Sequence, residues 1–86
     1  YPNPARTRTG LAFTIPPGDA GAPLTLAIFD VTGRRVRTLA RRPAEAGAWT
    51  VTWDLATDRG TAVRSGLYFA RLAIGDARVA RPIVVP

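Results

Sequence analysis

Apolar and polar residues alternate along this chain in short runs, broken by Gly, Pro and Asp clusters. No stretch holds an apolar period of 3.6, so the pattern predicts strands and not helices. Leu11, Phe13 and Ile15 alternate with Ala12 and Thr14, which predicts a strand over 10–15. Pro16-Pro17-Gly18-Asp19 ends it with turn chemistry. Leu24, Leu26 and Ile28 alternate with Thr25, Ala27 and Phe29, predicting a second strand over 23–30. Asp30-Val31-Thr32-Gly33 follows, with Asp first and Gly fourth, the preference of a type I turn. A tight hairpin then leads into a strand over 34–40, and Arg41 to Gly47 reads as a loop. Trp49, Val51 and Trp53 alternate with Thr50, Thr52 and Asp54, the clearest half-buried strand. Asp54 to Gly60 is rich in turn residues, and a weaker strand is expected near 61–64.

The last hairpin fixes its own register. Gly75-Asp76 lies between two strand-like runs, and Gly followed by another residue is the signal of a two-residue type II′ loop. Ile74 then faces Ala77, Leu72 faces Val79, Ala70 faces Arg81 and Tyr68 faces Ile83. One face carries Tyr68, Leu72, Ile74, Val79 and Ile83 as expected core, and the other carries Arg71 and Arg78 as expected solvent residues. Pro82 falls opposite Phe69, where its missing N–H would point outward and mark a sheet edge. About seven short antiparallel strands result, a number that suits an all-β, immunoglobulin-like β-sandwich. We expect a single domain, with 1–9 as an extended segment and 10–85 as the sandwich.

Composition narrows the function. The 86 residues contain neither Cys nor His and a single serine, Ser65. Thiolate chemistry, the commonest general base and a Ser-His-acid triad are thereby excluded, and we expect no enzyme and no cofactor. Asp30, Asp54 and Asp58 are the carboxylates near expected loops, but their spacing fits no calcium loop and reads as turn capping. All twelve basic residues are Arg, which against six acids gives a net charge of +6. The densest run is Arg34, Arg35 and Arg37, continued by Arg41 and Arg42. Arg35 and Arg37 are expected on one strand face, opposite Val36. Such a run is ordinarily a solvated face. The alternative reading is a contact for an anionic surface such as lipopolysaccharide or acidic glycan. Nucleic acid fits less well, because no aromatic residue lies between Gly33 and Trp49 to stack on bases. Trp49 and Trp53 read as core, and Tyr68 as core with a hydroxyl partner at the end of the sandwich. Phe29 and Phe69 are the candidates for a sugar-binding platform. No apolar run is long enough to span a bilayer. The absence of Met reads as a processed product, an excised domain or a piece of something larger.

Four motifs occur in order: Tyr1-Pro2-Asn3-Pro4; Ile28-Phe29-Asp30-Val31-Thr32-Gly33-Arg34-Arg35-Val36; Ala46-Gly47 through Val51-Thr52-Trp53-Asp54; and Ser65-Gly66-Leu67-Tyr68-Phe69-Ala70-Arg71-Leu72. Together they resemble the C-terminal sorting domains of the bacterial type IX (Por) secretion system. The core pattern is also similar to the Ig-like domain of the flagellar hook-capping protein, which usually lacks the Tyr-Pro-Asn-Pro opening. The resemblance implies a seven-stranded Ig-like sandwich at the bacterial cell surface. It further implies recognition by the export machinery and attachment of cargo to lipopolysaccharide. Most motif residues then have structural roles: Gly33 and Gly66 permit turns, and Trp53 and Tyr68 fill the core. The closing Arg81-Pro82-Ile83-Val84-Val85-Pro86 departs from the family's apolar end by its two prolines. A second expectation is a self-assembling extracellular filament. In it the edge segment Pro82, Ile83, Val84 and Val85 adds to the open sheet of a neighbouring copy.

Overall fold

A computed structural model describes residues 8–86. The Tyr1-Pro2-Asn3-Pro4 opening lies outside the described residues. The chain builds six strands among the described residues: β1 (Thr9–Ile15), β2 (Pro23–Asp30), β3 (Arg35–Pro43), β4 (Gly47–Trp53), β5 (Gly66–Ile74) and β6 (Ala77–Val85). A 3-10 turn at Pro17–Asp19 is the helical element. β1 and β4 form a two-stranded sheet; the other four form a second sheet in the order β3-β2-β5-β6, all antiparallel. The all-β sandwich expected from the alternation is therefore present, but in six strands. The seventh, expected near 61–64, is reduced to an isolated bridge between Ala56 and Ala62. The segment is too short and too rich in turn residues to pair further.

The core lies where the smaller sheet covers the larger. From β1 and β4, Leu11, Phe13, Ile15, Trp49, Val51 and Trp53 face inward, along the cross-strand pairs Thr9–Trp53, Leu11–Val51, Phe13–Trp49 and Ile15–Gly47. Below them, Leu24, Leu26 and Ile28 are buried on β2. One cluster gathers Leu26, Ile28, Trp53, Leu55, Tyr68, Ala70 and Val85. A second gathers Ile15, Leu24 and Ala44. Trp53 and Ile28 are each 0% exposed, and burying such side chains contributes about 2–3 kcal/mol apiece. β2 is central and its opposite face is covered as well: Ala27, flanked by Thr38 and Arg71, is buried.

Three expectations need correction. β3 runs through Arg41, Arg42 and Pro43, which were read as loop, because they pair with Thr25, Leu24 and Pro23. Register shifts between β2 and β3 also insert extra residues, so that Phe29 faces Arg35 while the adjacent Ile28 faces Arg37. Neighbouring residues of a strand point to opposite faces, so Arg35 and Arg37 do not share one. The extra residues, Val36 and Leu39, pack against the main cluster. That packing is the gain that stabilises the bulges. Finally, Val79 is not core. The last hairpin has the expected register, Ile74 to Ala77 through Tyr68 to Ile83. However, the two-stranded sheet does not reach over β6, and Val79 is 52% exposed.

Candidate functional site

The polar side chains of the motifs resolve into turn and corner devices. At the β2–β3 turn the Gly33 N–H donates to the Asp30 carbonyl at 3.0 Å, and Gly33 takes φ 85°. This is a type I turn closed by a left-handed glycine. The Asp30 Oδ1 accepts from the Thr32 hydroxyl at 2.6 Å, the Thr32 N–H at 2.9 Å and the Arg34 N–H at 3.1 Å. The Thr32 hydroxyl, foremost, and the two N–H groups hold the Asp30 carboxyl below its ordinary pKa against the opposing effect of desolvation. At the β5–β6 tip Gly75 takes φ 55° and Asp76 keeps a negative φ, as a type II′ loop requires.

The end of the sandwich formed by 54–64 is bound on three sides. The Trp53 Nε1–H donates to the Ala56 carbonyl at 3.0 Å, and the Tyr68 hydroxyl donates to the Arg64 carbonyl at 2.8 Å. The two rings meet edge to face at 5.6 Å between centroids. Tyr68 thus has the hydroxyl partner expected from the sequence. Arg37 donates to the Thr57 carbonyl at 2.9 Å and lies 3.7 Å from Asp54. Asp58 accepts from the Thr38 N–H and donates its own N–H to the Val36 carbonyl, covering the outer edge of β3. Leu55 takes φ 58°, an uncommon backbone for leucine, with its side chain buried in the main cluster. Asp30, Asp54 and Asp58 each cap or tie a turn, and no cluster suited to a metal ion occurs among the described residues.

The arginine run does not act as one patch. Arg34 sits at the turn beside Asp30, and Arg35 and Arg41 are exposed. Arg37 is spent on the corner. Arg42 stacks over the Trp49 ring at 4.0 Å, while the Trp49 Nε1–H donates to the Glu45 carbonyl. This stacked pair escaped sequence reasoning because it needs β3 to extend to Arg42. Phe29 and Phe69 are direct cross-strand neighbours on the outer face, continued by Arg35 on one side and Pro82 on the other. Arg71 covers Phe29 at 4.1 Å. Among the edge residues, Val84 is 75% exposed, Pro82 is exposed, Ile83 is half-buried and Val85 is buried. Gly47 and Gly66 stand at the starts of β4 and β5 with φ of 124° and 149°.

A groove opens between the sheets on the side of β1. Leu11, Phe13, Leu72 and Val79 line it, it holds about 120 Å³, and Arg81 stands at it. Arg81 Nη1 donates to the Ala12 carbonyl at 2.6 Å, linking β6 to the edge of β1 across the groove.

A chain folded as two packed antiparallel sheets, one of two strands and one of four, belongs to the class of Ig-like β-sandwich modules. The model of the FlgD Ig-like domain family matches residues 6–76, and the chain belongs to that family. The family is structural and non-enzymatic, and is named for the flagellar hook-capping protein, which works through protein contacts and faces the cell exterior. The matched stretch ends between β5 and β6, so β6 lies beyond it. Neither a curated protein nor a solved structure matches the chain. No helix among the described residues is long and apolar enough to cross a membrane.

Proposed function

We propose that the chain is an exported, non-catalytic Ig-like module that directs a larger protein to the bacterial surface, in the manner of a type IX sorting domain. The observation that carries this reading is the ordered set of four motifs. In particular, Tyr1-Pro2-Asn3-Pro4, an opening that hook-capping relatives usually lack, precedes the Ile28–Val36 hairpin. Its partners are then the export machinery and, through exposed Arg34, Arg35 and Arg41, an anionic surface such as lipopolysaccharide. The test is deletion of residues 1–86 from the parent protein in its own host. Loss of surface display with retained expression is expected; unchanged export and attachment would overturn the reading.

A second reading has its own observation. β6 is an edge strand whose Val84 is 75% exposed, and an open edge can pair with another copy. The chain is then the subunit of an extracellular filament. Sedimentation at high concentration checks it: growing species support the filament, and a persistent monomer removes it.

A further inference from the structure

The two sheets are unequal, and the inequality leaves a site. Over β2 the core is closed by Trp53, but over β5 and β6 the smaller sheet stops at β1. Leu72 and its cross-strand neighbour Val79 therefore line an open apolar groove. The wall of that groove is the edge of β1 that no described strand pairs with. The Ala12 carbonyl accepts from Arg81 and so points away from β4. By the alternation of an antiparallel ladder, Gly10 and Thr14 also turn their N–H and C=O groups outward.

Both edges of the larger sheet are guarded more heavily. The edge of β3 is covered by Asp58, and that of β6 is interrupted by Pro82. β1 carries no proline, and Arg81 is the one charged residue lining the groove among the described residues. We propose that the groove receives an extended, acidic segment of a partner protein, which pairs with β1 as a third strand of the small sheet. Alternate apolar side chains of that segment cover Val79 and Leu72. A carboxylate of the segment takes the Arg81 guanidinium from the Ala12 carbonyl, and the incoming backbone replaces it there.

A second copy of this chain is the wrong occupant. Among the described strands, only β2 carries a carboxylate, and that residue, Asp30, is bound in its own turn. This inference rests on the reading of a protein-binding module, but it is tested without export.

The experiment titrates the 15N-labelled chain with a synthetic eight-residue peptide alternating valine and threonine, with glutamate at one threonine position. A second peptide carries lysine at that position. Saturable shifts at the amides of Gly10, Ala12 and Thr14 are expected, with the lysine peptide about tenfold weaker. R81E should invert that preference, and A12P, which removes an outward N–H, should abolish binding while circular dichroism stays β-type. Equal binding of both peptides, shifts centred on Pro82 to Val84, or no saturation at millimolar peptide would each overturn the proposal. Concentration-dependent shifts at the same amides without peptide would assign the edge to a second copy and overturn it as well. Loss of export on deletion, with no peptide binding, would leave the sorting reading standing and remove only the docking site.

Discussion

β2 and β6 lie in one sheet, separated by β5, and each carries a run of aliphatic residues. Yet β2 buries Leu24, Leu26, Ala27 and Ile28, whereas β6 buries Val85 alone. Intrinsic β-preference does not separate them, since Val and Ile favour strands in both. What separates them is the cover. Trp53 and Leu55 lie over β2, and nothing of the two-stranded sheet lies over Val79. Alternation therefore reports that a strand has two faces; it does not report how far the opposite layer extends.

The sharpest way to break the contrast is to remove the cover. Trp53→Ala should cost about 3–5 kcal/mol, read as a lowered midpoint in urea, and should leave β2 as open as β6. A variant within 1 kcal/mol of the parent would show that the indole is not what closes the core. Ile28→Ala is expected to cost about 2–5 kcal/mol, since its side chain is fully enclosed. Tyr68→Phe keeps the ring beside Trp53 and removes the hydroxyl bond to the Arg64 carbonyl. The expected loss is about 1 kcal/mol, measured by thermal unfolding.

Asp30 tests the turn at the end of β2. Its carboxyl pKa is lowered in the folded chain, so its contribution is present above the ordinary carboxylate value and fades as pH falls through the lowered one. Asp30→Asn should flatten the acid side of the stability profile below about pH 4, and an unchanged profile would discount the turn bonds. The smallest effect is expected at β6: Val79→Ala should shift stability by no more than about 0.5 kcal/mol. A loss comparable with that of Ile28→Ala would mean that β6 is covered in solution.

Much of this contrast was legible in the residues, for identifiable reasons. The positions of β1, β2, β4, β5 and β6, the register set by Gly75 and the Asp30–Gly33 turn all depend on neighbours in sequence, and the structure has each of them, whereas the strand expected near 61–64 is only a bridge. The family's core pattern was legible in Trp53, Gly66 and Tyr68 for the same reason. The path of β3 was not. Its register shifts at Val36 and Leu39 depend on what those side chains meet in another layer. The same holds for Arg37, whose partners are 17 and 20 residues away in sequence, at Asp54 and Thr57. It holds equally for Arg81, bonded to Ala12 from the opposite end of the chain. The groove, defined by where a sheet stops, left no local signature at all.

Leu55 shows how narrow the choice of side chain can become at one position. Its left-handed backbone suits glycine, and its enclosed side chain suits a large aliphatic. Glycine would relax the first and leave a void; valine or isoleucine would occupy the space but resist the torsion, being branched at Cβ. Two requirements that pull apart leave a short alphabet, so substitutions accumulating in 54–64 must detour around this residue while the exposed positions beside it drift freely.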